Sequence, residues 1–91
     1  WGAFANAGQV CISVQRIFVH RSVFEAFTPL LVERARVLKV GDPHDEQTDI
    51  GPMISQAARD KVQEAIAQAT LQGAHALLRG EASGLSCVSP T

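Results

Sequence analysis

Apolar residues change their rhythm along this 91-residue chain, and the changes mark its elements. Residues 14–20, Val-Gln-Arg-Ile-Phe-Val-His, concentrate β-branched and aromatic side chains and predict a strand. After them the apolar spacing lengthens to that of a helix, with Val23, Phe27, Leu30, Leu31, Ala35 and Leu38 on one side. Ser22 with Glu25 has the form of a capping box at its start. Pro29 lies inside this helix, takes away the hydrogen bond to the Glu25 carbonyl, and predicts a bend. Residues 41–54 lose the periodicity and read as a loop punctuated by Gly41, Pro43, Gly51 and Pro52. Ser55 is placed to cap a second helix whose stripe is Val62, Ala65, Ile66 and Ala69, and Gly73 is placed to stop it. Residues 74–78 predict a short strand, and residues 80–91, rich in Gly and Ser, an irregular tail. Residues 1–9 are Ala-rich and read as the last turns of a helix ended by Gly8.

The expected order is helix end, strand, helix, loop, helix, strand, which argues for an α/β layer with parallel strands. The length allows one small domain at most. A 46% hydrophobic and 19% charged composition is that of a globular chain. A net charge of −1 with acids and bases intermixed gives nucleic-acid binding no support. The apolar runs are too short for a bilayer span, and no membrane partner is expected.

Candidate chemistry gathers at Cys11, in Phe4-Ala5-Asn6-Ala7-Gly8-Gln9-Val10-Cys11-Ile12-Ser13. A free cysteine is more often a buried, inert residue than a nucleophile. Here the preceding Asn6, Gly8 and Gln9 hydrogen-bond, turn, and let another molecule approach the backbone, a setting that suits a thiolate presented at the end of a loop. Ser13 has no Asp or His at a meaningful spacing to activate it. His20, His44 and His75, with Cys11 and Cys87, form no zinc spacing. Asp42, Asp45, Glu46 and Asp49 lack the calcium-loop spacing and read as solvated turn residues.

The six defined positions of Phe4-x-Asn6-x-Gly8-Gln9-x-Cys11-x-Ser13, followed by Gln15-Arg16-Ile17-Phe18-Val19-His20, resemble the active-site cysteine segment of the aldehyde dehydrogenase superfamily. Val40-Gly41-Asp42-Pro43 and Thr48-Asp49-Ile50-Gly51-Pro52-Met53-Ile54 resemble the loop that follows it there, and the likeness runs to about Gly80. The resemblance implies that residues 1–91 are part of a catalytic domain, a piece of a larger enzyme, with the nucleotide-binding region and other catalytic segments elsewhere. It implies that Cys11 attacks an aldehyde, that NAD or NADP is the cofactor, and that a thioester is hydrolysed to the acid. It implies that Asn6, Gly8 and Gln9 shape the active-site loop, that Val10 and Ile12 line the substrate pocket, and that Lys61 is a cofactor-side candidate on the second helix. For Asn6 and Gln9, satisfying backbone groups is the simpler role; Val10 and Ile12 also fit a core, and Lys61 also fits a plain surface position.

The implied partners are a small aldehyde, the remainder of the parent chain and further copies of the parent enzyme. Two readings stay open beside this one: a truncated, non-enzymatic relative serving as a scaffold or interaction module, and a member that passes the acyl group to coenzyme A. Cys11 and Cys87 are expected to be reduced thiols in the cytoplasm, with Cys87 uninvolved.

Overall fold

A computed structural model describes residues 2–80, together with the backbone of 82–83 and 87–88. It is built on two 16-residue helices, α1 (Arg21–Arg36) and α2 (Gln56–Leu71). Both predicted helices are present, but their ends are made differently.

The α2 ends follow the sequence. Ser55 accepts the Ala58 N–H at 3.1 Å, filling one of the donors that a helix start leaves open. At the other end Gly73 takes φ 96°, and the Gly73 and Ala74 N–H groups return to the carbonyls of Thr70 and Ala69 at 3.1 and 3.0 Å. That pair of bonds is a Schellman stop, and its left-handed residue favours glycine.

The start of α1 departs from the capping box. His20 is the cap, and its Nδ1 accepts the Ser22 N–H at 3.3 Å and lies 2.8 Å from the Ser22 hydroxyl. Ser22 therefore sits inside the first turn. The ring nitrogen of His20 reaches the open donor that a serine cap would have served. Pro29 is accommodated within α1, and the neighbouring Thr28 hydroxyl donates to the Phe24 carbonyl at 2.8 Å.

The two predicted strands are corrected. Residues 13–20 and 74–78 carry no strand. A strand is defined by its ladder, and side-chain preference alone does not supply a partner. Along 13–20 the backbone bonds lie at the two ends, where the Val14 N–H reaches the Gly2 carbonyl at 3.2 Å and the Val23 N–H reaches the His20 carbonyl at 3.1 Å. Phe18 is 93% exposed there. Pairing occurs instead at a parallel bridge, Val40 with Ile50, and in a two-residue antiparallel ladder, β1 (Ala82–Ser83) with β2 (Cys87–Val88), in the tail expected to be irregular. The Cys87 side chain lies outside the described residues.

Among the described residues the buried hydrophobic side chains are Ala35 and Ile50. Of the α1 stripe, Val23 and Leu30 remain 51% and 67% exposed. The accessible surface is 7191 Å². A compact monomer of this mass is expected to expose about 5,100 Å². The radius of gyration, 13.7 Å, likewise exceeds the ~12 Å expected for this length. The apolar faces of this segment are thus cut for contacts that it does not make with itself.

Candidate functional site

The segment expected to end a right-handed helix is a left-handed turn. Ala5–Gly8 forms one turn of 3-10 type in which Asn6, Ala7 and Gly8 take φ of 51°, 55° and 74°. Glycine enters this region freely and Asn with little penalty, but Ala7 pays for its Cβ, about 1–2 kcal/mol. Local amide bonds hold the turn. The Asn6 carbonyl accepts the Gln9 N–H at 3.0 Å and the Gln9 side-chain amide at 3.3 Å, and the Asn6 amide donates to the Gln9 carbonyl at 3.4 Å.

Cys11 comes two residues later, at the corner of a second turn closed by the Ser13 N–H on the Val10 carbonyl at 2.9 Å. The thiol is free and exposed. The turn's own bond uses the Val10 carbonyl and the Ser13 N–H, so the Cys11 N–H stands outside it. Ser13 is used structurally: its hydroxyl donates to the Ala3 carbonyl at 3.2 Å, and with the Val14–Gly2 bond it ties the exit of the cysteine loop to its entry. Val10 is half-buried, whereas Ile12 is 83% exposed beside the thiol.

One long-range bond fixes this loop against the rest of the chain. The Gln9 Oε1 accepts the Ile54 N–H at 3.0 Å across 45 positions. Ile54 immediately precedes the Ser55 cap, so the cysteine loop is moored to the entry of α2. Nothing in the residue types of Ile54, Ala3 or Gly2 marks them for these roles, because each contributes only its backbone. Lys61 is exposed on α2, about 9 Å along the axis from the Ser55 cap, and the structure joins it to none of the loop residues by a hydrogen bond among the described residues.

The acidic residues form a separate unit. Asp42 accepts the His44 N–H at 2.9 Å and Asp45 accepts the Gln47 N–H at 2.9 Å, while Asp49 accepts the Lys39 N–H at 2.9 Å. These carboxylates cap turns of their own loop. The His44 backbone N–H and ring beside Asp42 hold its carboxyl below the usual carboxylate value. Among the described residues there is no group of three or more His, Cys, Asp or Glu placed to hold a metal ion, and no helix long and apolar enough to cross a membrane.

A cavity of about 350 Å³ opens between the cysteine loop and the helices, lined by Phe4, Ile17, Leu31, Ala35, Ile66 and Leu78 among others. Its lining includes Thr70 and His75 but no Lys or Arg. A dinucleotide carries a pyrophosphate that calls for cationic or backbone donors, and this lining does not supply such a charge. This cavity does not fit the pyrophosphate of a dinucleotide.

The family model of the aldehyde dehydrogenases matches residues 1–91. The chain belongs to the aldehyde dehydrogenase family. It is 50% identical over 82 residues to 3-sulfolactaldehyde dehydrogenase of Priestia aryabhattai, covering 90% of this chain and 17% of that protein. It is 46% identical over 74 residues to betaine aldehyde dehydrogenase 2 of Rhizobium meliloti, covering 81% and 15%. Among solved structures, glyceraldehyde-3-phosphate dehydrogenase of Methanocaldococcus jannaschii complexed with NADP superposes with a TM-score of 0.91 at 40% identity, over 98% of this chain and 19% of that one. Betaine aldehyde dehydrogenase of Staphylococcus aureus in complex with NAD+ gives a TM-score of 0.83 at 32% identity, over 88% and 16%. The backbone is therefore that of a part of an aldehyde dehydrogenase, and the chain spans less than a fifth of the length of these relatives. Nicotinamide dinucleotides are bound by members of this family.

Proposed function

We propose that this segment supplies the nucleophile of an enzyme that oxidises a small polar aldehyde to its acid with NAD or NADP, and that Cys11 is that nucleophile. The observation that carries the reading is the placement of Cys11: an exposed thiol at the corner of a turn whose entry and exit are both tied down. The relatives named for 3-sulfolactaldehyde, betaine aldehyde and glyceraldehyde-3-phosphate support a small substrate that carries charge.

In this reading the Cys11 thiolate attacks the carbonyl carbon. A C–S bond forms and the π electrons move onto oxygen. The Cys11 N–H is available to donate to that oxyanion, and such a donor gains strength as negative charge develops. Oxidation of the thiohemiacetal removes a hydride and leaves a thioester. The hydride acceptor is assigned chiefly to parts of the enzyme beyond this segment, because the cavity beside the cysteine loop carries no cationic group for a pyrophosphate. Water then adds to the thioester, the acid departs and the thiolate returns; the base for that step also lies elsewhere, since Glu25 is an exposed residue of α1. Ile12, exposed beside the thiol, and Val10 form this segment's share of the aldehyde's surroundings, and Lys61 remains a proposal for the cofactor side.

The test is Cys11→Ser in the full-length enzyme, assayed by dinucleotide reduction with charged short-chain aldehydes. Activity should fall at least about a thousandfold, because the serine hydroxyl is almost wholly un-ionised near neutral pH, while dinucleotide binding is kept. Retained turnover would assign the nucleophile to another residue.

A further inference from the structure

We propose that Gln9 is a positioning residue for the Cys11 thiol, clamping the cysteine loop to the entry of α2. The inference rests on the reading of Cys11 as nucleophile, whereas the clamp itself is a matter of geometry. Both ends of the Gln9 amide are engaged. Its Oε1 takes the Ile54 N–H at 3.0 Å, and its Nε2 donates to the Asn6 carbonyl at 3.3 Å. One side chain therefore holds the left-handed turn before the thiol and binds that turn to a distant, well-fixed point.

That point is fixed because Ile54 adjoins Ser55, whose hydroxyl is bonded to Ala58 in the first turn of α2. The turn needs holding because Asn6 and Ala7 lie in the left-handed region, which L-residues leave when they are free to do so. On the far side of Cys11 the Ser13 and Val14 bonds anchor the loop to residues 2–3. On the near side Gln9 is the side chain, among the described residues, that reaches another element. Its loss would leave the thiol anchored from one direction only. A nucleophile displaced by about 1 Å loses a large part of the benefit of orientation, so the expected defect is in turnover and not in binding.

Two variants of the full-length enzyme separate the bonds. Gln9→Met keeps the length of the side chain and removes both bonds. Gln9→Glu keeps an acceptor for the Ile54 N–H and loses the donor to Asn6, and it adds a negative charge two residues from the thiol. Folded sites are counted by titration with the dinucleotide, so that kcat is expressed per competent site and misfolded enzyme does not contribute. With Gln9→Met, kcat per titrated site should fall about tenfold or more, with KM for the dinucleotide within twofold of wild type. With Gln9→Glu, which keeps the acceptor for the Ile54 N–H, kcat per titrated site should lie between those of Gln9→Met and wild type. The positioning role is overturned if Gln9→Met retains kcat within twofold, or if Gln9→Glu is as impaired as Gln9→Met. Should Cys11→Ser remain active, the nucleophile assignment would fail instead; that result is independent of both Gln9 variants.

Discussion

Two loops of this chain are built from short polar side chains, and they are stabilised in opposite ways. The loop across residues 39–50 closes on itself. Its ends meet at Lys39–Ile50 and Gly41–Ile50 hydrogen bonds of 3.0 and 3.1 Å, and its carboxylates cap N–H groups within the loop. The cysteine loop, residues 2–14, begins in left-handed backbone and depends on a bond 45 positions away. The first loop uses charge to satisfy its own backbone. The second uses neutral amides, which donate and accept at once. The acidic loop is closed by its own bonds, whereas the cysteine loop is also tied to the entry of α2.

The largest expected effect tests the left-handed turn. Gly8→Ala places a Cβ at φ 74°, with the Ala3 carbonyl oxygen 3.5 Å away, an ordinary contact. The cost is therefore conformational, about 1–2 kcal/mol. The converse change, Ala7→Gly, removes an unfavourable Cβ at φ 55° and should recover part of that amount, less the entropy glycine adds to the unfolded chain. Urea unfolding of the full-length enzyme with each variant measures both. Opposite signs for the two changes would support the turn, and a stability loss of similar size from each would place Ala7 in ordinary right-handed backbone.

The turn also shows where the sequence was readable and where it was not. Ser55, Gly73 and the Gly/Pro-punctuated loop were legible because each acts within a few residues of itself. The helix expected over residues 1–9 rested on alanine's propensity. That preference of a few tenths of a kcal/mol per residue yielded to Asn6, Gly8 and Gln9, which accept or stabilise the left-handed form. The strands expected at 14–20 and 74–78 rested on side-chain preference, which describes a surface that suits a sheet and does not say where the neighbouring strand is. Cys11 itself stood out through its flanking residues. Its mooring at Ile54 was invisible, since a backbone N–H leaves no mark in a residue's identity.

A smaller effect is expected where the cysteine loop meets the entry of α2. Ser55→Ala removes the cap on Ala58 and should destabilise the enzyme by about 1 kcal/mol. Because the adjacent Ile54 N–H is the mooring point of Gln9, fraying of the first turn should reach the cysteine loop and not the acidic one. Hydrogen exchange on the full-length variant should show faster exchange at residues 54–58 and around Gln9, with the amides of His44 and Gln47 unchanged. Acceleration at His44 and Gln47 of the same size would mean that the acidic loop is not self-contained.

The smallest effect belongs to Asp42, on the exposed edge of the acidic loop. Its carboxyl is held below the ordinary value of 3.8, first by the His44 backbone N–H and then by the His44 ring. A carboxylate with a lowered folded value stabilises the turn fully above its unfolded value. That contribution fades as pH falls through the lowered one, when the protonated group becomes a weaker acceptor. Following the His44 amide resonance of the 91-residue chain by NMR should therefore give an acid midpoint below 3.8. Asp42→Asn keeps a side-chain oxygen for the His44 N–H and should abolish the titration while preserving the turn, whereas Asp42→Ala should lose both. Cys11 alkylation should be the same in all three chains, because the acidic loop holds itself together without reference to the thiol. A midpoint at or above 3.8 would detach the Asp42 carboxylate from the turn, and a change in Cys11 reactivity would join the two loops that the structure keeps apart.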